Sequence, residues 1–415
     1  MNTFVDAVIN QEARTENGMK ARKSTANPVV DLFFKIGASR GKNIVGDFTA
    51  ALVEDKEIAL RIAAWSRDAR GGAGERQIFR DILKHLETSD VNAAAALMVK
   101  VPEVGRWDDL LIFKTKRFKD IAFTMIGDAL RERNGLCAKW MPRKGPVANE
   151  LRKYLNYTPK QYRKMLVELT KVVETQMCAR TWDQINYDHV PSVAANRYQK
   201  AFNRRDGARY TEWKAGLKTG ASKVNSSVLY PYDVVKSVEY GDRDVALAQW
   251  EALPNYLGDN AILPMVDVSG SMSCPVGGQR GVGLTCMQVA ISLGLYVADK
   301  QQGAFKDIWL TFTGDSHIDV LKGNLLQKIN QIRSNVGYDT NLESAFRSIL
   351  KVAVDNGVAA EQMPKYLLVL SDMEFNPAYM GGKSVGAFDM ARQMFEAANY
   401  TMPRLVWWNL KSRPD

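Results

Sequence analysis

Cysteine and histidine are scarce in this 415-residue chain, with four of the first and three of the second. Cys137, Cys178, Cys274 and Cys286 are scattered, and no two have CxxC spacing. That argues against a disulfide framework and against a zinc site of the Cys/His kind. With His85, His189 and His317 as the whole stock of imidazoles, a histidine base beside a nucleophile has few candidates, so serine- or papain-type catalysis is not expected. Long apolar runs are absent as well: no stretch approaches the ~18 uninterrupted apolar residues of a membrane span. Met1-Asn2-Thr3-Phe4-Val5-Asp6 lacks the basic and apolar regions of a secretory signal. A cytoplasmic protein is therefore expected.

Acidic residues are outnumbered, and unevenly. The net charge is +10, yet between Arg131 and Lys223 stand 20 Lys and Arg against 8 Asp and Glu, a surplus of 12 that leaves the remainder at −2. Clustered cations gain affinity by releasing counterions from phosphates, so this segment suggests a polyanion partner. The competing reading is a solvated helical surface that happens to be basic.

At ~100–200 residues per domain the length predicts two to three domains. Residues 1–28 are polar and aperiodic and read as a flexible arm. From 29 to 255 the pattern is helical: Ile58–Trp65, Gln77–Leu86, Ala93–Val99, Phe118–Arg131 and Tyr162–Gln176 place apolar residues at three- and four-residue intervals. Stoppers separate them, at Gly71-Gly72-Ala73-Gly74, Val101-Pro102, Met141-Pro142, Thr158-Pro159 and Val190-Pro191. Successive helices of this length suggest a solenoid or an irregular bundle, with no strict period. From 256 to 415 the pattern changes. Ala261–Val268, Asp307–Phe312, Tyr366–Leu370 and Arg404–Trp408 read as strands, and Thr285–Asp299, Leu342–Val354 and Val385–Ala398 as helices. The alternation predicts a doubly wound, Rossmann-like α/β domain, giving an α + α/β chain overall.

Ligands of open parallel sheets bind at the carboxyl ends of strands. Asp267-Val268-Ser269-Gly270-Ser271 follows the first strand, after which comes a loop with Gly277, Gly278, Gly281 and Gly283. Gly337-Tyr338-Asp339-Thr340-Asn341 opens a helix, and Leu370-Ser371-Asp372 closes a strand. All three loops should meet along one sheet edge. Mg²⁺ takes a small octahedral shell of hard oxygens and keeps several waters. Hydroxyls with carboxylates supply such a shell and leave a position for a partner's carboxylate.

This ordered DxSxS…T…D set resembles the metal-ion-dependent adhesion site of the von Willebrand factor A (vWA) fold. The resemblance implies that Ser269, Ser271 and Thr340 are direct ligands of Mg²⁺ or another divalent cation, with Asp267 and Asp372 direct or water-mediated. Two departures stand out. Met373-Glu374 follows Asp372 where glycine is commoner, and a typical vWA domain continues with a further strand and helix beyond Val406–Leu410, which implies a shortened or truncated domain.

Three other stretches extend the resemblance: Trp65-Ser66-Arg67-Asp68-Ala69-Arg70-Gly71-Gly72-Ala73-Gly74-Glu75-Arg76, Gly105-Arg106-Trp107-Asp108-Asp109-Leu110 and Tyr230-Pro231-Tyr232-Asp233. With the domain order they resemble the TROVE module of the Ro autoantigen and its bacterial and viral relatives. That family implies HEAT-like helical pairs forming a ring closed by a vWA domain, and binding of structured or misfolded noncoding RNA. A ring closed within one chain needs no second copy, so a monomer is expected. The residues add their own support. Lys139, Arg143 and Lys144 flank Trp140, Arg163 and Lys164 follow Tyr162, and Lys200, Arg204, Arg205 and Arg209 lie within Tyr198–Tyr210. Cations hold phosphates and aromatics can stack on unpaired bases, although aromatics at helical spacing are more often core.

Gly71–Arg76 lacks the GK[ST] ending of a P-loop and reads as a helix–helix turn. Asp68, Asp108 and Asp109 read as helix caps or ion-pair partners of the neighbouring arginines, and His189 as structural. No catalytic carboxylate pair can be assigned, and a metal-dependent nuclease would lack an evident general base. A non-enzymatic RNA-binding protein is the leading expectation. The alternative is an adaptor whose vWA domain docks an acidic protein loop without specific RNA binding.

Overall fold

Helix signals in the sequence translate directly into the first compact unit, residues 25–184. In the computed structural model, which describes residues 12–14, 20–22, 24–39, 41–69, 71–170, 172–226, 229–276, 284–312, 315–335, 340–376, 378–380 and 383–411, this unit holds α1 (Pro28–Ala38), α2 (Val45–Glu54), α3 (Lys56–Arg67), α4 (Arg76–Ser89), α5 (Val91–Val104), α6 (Lys116–Arg131), α7 (Gly135–Trp140), α8 (Pro146–Tyr154), α9 (Pro159–Leu169) and α10 (Val173–Ala179). Asn27 Oδ1 caps α1 by accepting from the amides of Val29 and Val30, and Pro28 occupies the first helical position. Asp55 and Asp90 cap α3 and α5 likewise. Each helix buries one stripe: α4 contributes Ile78, Phe79, Ile82, Leu83 and Leu86 to a core shared with α1 through α9.

Two sequence expectations shift here. The periodic run Tyr162–Gln176 is two helices, because α9 stops at Leu169 and the chain turns extended at Val172 before α10. The Val101-Pro102 stop is overrun by two residues: α5 continues to Val104, with Pro102 in its last turn.

The second unit comprises residues 185–415 together with residues 1–24, in which β1 (Glu12–Arg14) pairs antiparallel with β2 (Lys20–Arg22). Four helices come next, α11 (Ser192–Arg205), α12 (Gly207–Thr219), α13 (Pro231–Tyr240) and α14 (Arg243–Glu251). Then follow β3 (Ile262–Asp267), α15 (Cys286–Lys300), β4 (Ile308–Phe312), β5 (Ile318–Val320), α16 (Leu325–Ser334), α17 (Leu342–Asp355), β6 (Tyr366–Ser371), the ladder β7 (Ala378–Met380) with β8 (Lys383–Val385), α18 (Ala387–Ala397) and β9 (Arg404–Asn409).

Five strands form one sheet in the order β5-β4-β3-β6-β9. β4, β3, β6 and β9 are parallel, while β5 turns back antiparallel on β4, so the sheet is mixed rather than wholly parallel. The reversal is held by Thr311, whose amide donates to the His317 carbonyl (3.0 Å) and whose hydroxyl accepts the His317 amide (2.9 Å).

Strand alternation divides the core between two faces. Val266, Val268, Trp309, Leu368 and Leu370 meet α15 and α16 on one side. Leu263, Met265, Leu310, Phe312, Leu367 and Val369 meet α17 and α18 on the other. Gly294 lets α15 lie close to β3: a Cβ there would stand 2.2 Å from Val266 Cγ2. Val234, Val235, Val238, Ala246 and Trp250 from α13 and α14 join the first of these cores. The change of element type near residue 255 thus falls inside this unit.

Candidate metal centre and basic surface

The register brings the carboxyl ends of β3, β6 and β9 side by side. Val266 pairs with Leu370 and Ser371 with Asn409, so Asp267, Ser371–Asp372 and Leu410–Lys411 follow on one edge. Asp267 and Asp372 are buried, at 0% and 2% exposure. Both oxygens of Asp267 are engaged: Oδ1 accepts the Ser269 amide (2.9 Å) and Oδ2 the Ser371 hydroxyl (2.5 Å). Burial is the main cause that pushes the Asp267 carboxyl up to about 6, and the Asp372 charge acts in the same direction against the hydrogen bonds from Ser371 and Ser269.

The hydroxyls extend the cluster. Ser269 Oγ lies 3.0 Å from Ser271 Oγ, the first buried and the second exposed. Thr340 is buried and donates its hydroxyl proton to the Glu374 carbonyl at 2.7 Å, which leaves its oxygen lone pairs as acceptors. The Glu374 amide faces Asp372 Oδ1 at 3.4 Å. A chain of hydrogen bonds therefore connects Ser271, Ser269, Asp267 and Ser371, and Thr340 is tied through Glu374 to Asp372. Gly337, Tyr338 and Asp339, expected to precede Thr340 in the site, and the glycine loop Gly277–Gly283 lie outside the described residues.

Sequence reasoning missed two contributors. Ser371 supplies the hydroxyl on Asp267; a serine ending an otherwise apolar strand was the available signal. Lys411 places its ammonium 3.5 Å from Asp372 Oδ2, and nothing local to its position indicated this.

The donor set suits a hard divalent cation: two buried carboxylates repel one another, and hydroxyl oxygens with available lone pairs surround them. Among the described residues no group of three or more His, Cys, Asp or Glu side chains could hold a metal. Any cation at this edge would depend on the serine and threonine oxygens.

The basic residues fall in both units. In the first, Lys139 on α7, Arg143 and Lys144 in the following loop, and Arg163 and Lys164 on α9 are all exposed. α9 packs on α7, and the Tyr162 hydroxyl donates to the Pro142 carbonyl (3.1 Å), so these cations stand on adjoining elements. In the second unit Lys200, Arg204 and Arg205 are exposed on α11, while Arg209 is committed to Asp206 (2.9 Å) and the Ile185 carbonyl (2.7 Å).

The interleaved aromatics are mostly structural. Tyr162 and Tyr210 are buried at 1% exposure, and Tyr210 packs with Tyr187, Phe202 and Trp213. One face of half-buried Trp140 is covered by the Arg106 guanidinium, 3.8 Å from the ring centroid.

Trp65–Arg76 and Gly105–Leu110 meet through an ion pair. Arg67 Nε donates to Asp109 Oδ2 (2.8 Å), Arg80 reaches both Asp109 (2.6 Å) and Asp108 (3.0 Å), and Arg106 closes on Asp108 (2.6 Å). Gly72 is obligatory in the intervening loop, since a Cβ there would lie 1.9 Å from the Trp65 carbonyl oxygen. These arginines and aspartates hold the fold, as the ion-pair reading of Asp108 and Asp109 anticipated.

Comparison with known proteins finds two families of uncharacterised role. One described as a domain of unknown function, DUF2828, matches residues 121–263, and another, DUF7788, matches residues 261–415. Their junction falls where helices give way to β3. The uncharacterized protein L728 of Acanthamoeba polyphaga mimivirus is 30% identical over 463 aligned positions, covering 96% of this chain and 79% of that protein.

Proposed function

The chain belongs to the family of the mimivirus protein L728, and from that premise we propose a non-enzymatic RNA-binding protein with a vWA-type, cation-dependent docking site. The helical region, read as HEAT-like pairs, binds structured or misfolded noncoding RNA through its exposed cations. The observation that carries this reading is the set Lys139, Arg143, Lys144, Arg163 and Lys164, all exposed on adjoining elements. Five exposed cations on neighbouring elements can neutralise phosphates of a folded nucleic acid and supply a salt-dependent affinity.

At the sheet edge, Ser269, Ser271 and Thr340 would hold Mg²⁺ or another divalent cation directly. Asp267 and Asp372 would act directly or through water and neutralise the ion's charge, each Asp267 oxygen keeping acceptor capacity beside the one hydrogen bond it takes. The ion supplies a Lewis-acidic position for an incoming oxygen ligand. Ser371 orients Asp267, and the Glu374 carbonyl orients the Thr340 hydroxyl.

An electrophoretic shift assay tests the RNA half. Structured RNA should be retained in the presence of heparin and with Asp267→Ala, and no preference for RNA over heparin would sink it. A second reading, the protein adaptor, is favoured by the exposure of Ser271 beside buried Ser269, which leaves the site open to a partner's carboxylate. Under that reading capture of an acidic peptide collapses with EDTA or with Asp267→Ala.

A further inference from the structure

Two of the four cysteines meet at the rim of the sheet edge. Cys274 Sγ and Cys286 Sγ are 3.5 Å apart, with Cys274 half-buried and Cys286 fully buried. The approach is built into the backbone: the Cys286 amide donates to the Cys274 carbonyl (3.0 Å), Pro275 and Thr285 form an antiparallel bridge, and the Val276 amide donates to Leu284 (2.9 Å). A disulfide needs sulfurs at about 2.0 Å, so closing the gap takes a movement of roughly 1.5 Å, within reach of side-chain rotation and a small backbone shift.

We propose that Cys274 and Cys286 form a reversible redox pair, oxidised to an intramolecular disulfide by hydroperoxides. Cys274, the half-exposed thiol, meets the oxidant. Its sulfur attacks one peroxide oxygen, the O–O bond breaks, and Cys274 sulfenic acid and one water result. The Cys286 sulfur then attacks Cys274, the S–S bond forms, and the hydroxyl leaves as a second water with the Cys286 proton. Two thiols and one hydrogen peroxide become one disulfide and two waters, a two-electron change.

The Cys286 thiol also donates to the Leu410 carbonyl at 3.2 Å. Oxidation removes that proton, so the Leu410 carbonyl loses its hydrogen bond to the first residue of α15, while the Leu410 side chain stays in the shared core. Lys411 is the residue whose ammonium faces Asp372. The thiol state is thereby coupled to the polar edge, and this holds whether or not a cation or an RNA binds.

The test uses the full chain carrying Cys178→Ser, which removes the exposed thiol that would form links between molecules. Three thiols remain, Cys137, Cys274 and Cys286. After treatment with hydrogen peroxide, thiol titration in denaturant should fall from three to one. Peptide mass mapping should find Cys274 joined to Cys286 with the loss of two hydrogens, and dithiothreitol should restore both thiols. Adding Cys286→Ser should halt the reaction at a Cys274 sulfenic acid that dimedone traps. Three intact thiols, or Cys274 driven to sulfinic acid with no link to Cys286, would overturn the proposal.

Discussion

Asp267 and Met373 each hold an unfavourable state at the same edge. Burial raises the Asp267 carboxyl to about 6 from an ordinary value near 3.8. Between these two values the native chain keeps a proton that the unfolded chain releases, so stability in the absence of a divalent cation falls as pH rises from about 4 to about 6. The rise from near 3.8 to about 6 corresponds to about 3 kcal/mol once the fall is complete. With EDTA present, Asp267→Asn should therefore gain on the parent as pH rises through this window, measured as the difference in thermal midpoint. A difference that stays flat from pH 4 to 7 would contradict the raised carboxyl. Adding Mg²⁺ should reverse the ranking at pH 7, because only the aspartate gains from the ion.

Met373 has φ +66°, in the left-handed region that favours glycine. A methionine is held there in a conformation that glycine adopts at no steric cost. The Met373 side chain packs against the core shared by α17 and α18, which compensates the strain of about 1 kcal/mol.

Elements are joined by charges as well as by apolar faces. Arg67 on α3 and Arg80 on α4 converge on Asp109, which is fully buried, and Arg67 is itself 5% exposed on its side chain. Arg67→Ala would leave a buried carboxylate short of one guanidinium and should cost about 3 kcal/mol. A urea midpoint that implies a loss below about 1 kcal/mol would show that Arg80 suffices alone. The exposed cations behave differently. Arg143→Glu with Lys144→Glu should leave stability within about 0.5 kcal/mol and reduce the slope of log affinity against log salt by about 2, if both cations neutralise phosphates. Filter binding over a range of NaCl concentrations measures this, and an unchanged slope would move the RNA interface elsewhere.

Much at this scale was legible because it is local. The Thr158-Pro159 break is where α9 begins, with Thr158 and Gln161 in a reciprocal cap, and the strands ending at Asp267 and Ser371 match their apolar runs. α16 went unread although Leu325, Ile329 and Ile332 carry the helical interval and Asn324 with Gln327 forms its capping box. β5 has only three residues, too few for alternation to register. Lys411 and the Cys286–Leu410 contact could not be read at all, since the second joins residues 124 positions apart.

For the molecule as a whole, the shift from helices to strands near residue 255 is a poor place to cut. Val234, Val235, Val238, Ala246 and Trp250 cover part of α15 and α16, and the Trp250 indole donates to Asp299 at 2.8 Å. A chain starting at residue 185 should express in soluble form and unfold cooperatively. One starting at residue 256 would expose the apolar surface under α13 and α14 and should aggregate or bind a hydrophobic dye. Equal solubility and equal cooperativity of the two would refute this division of the core.

The place of β3 in the sheet sets a clock for the polar edge. Met265, Val266 and Asp267 sit between β4 and β6, whereas β9 pairs with β6 and ends the sheet order. Amides of a central strand exchange with deuterium only when the whole domain opens, while those of a terminal strand exchange through local fraying. Among the described strands, exchange should therefore be slowest around Asp267 and faster at Leu410 and Lys411, which hydrogen–deuterium exchange measures. One wall of the site should then persist for as long as the domain stays folded, and the other should renew its contacts within that lifetime.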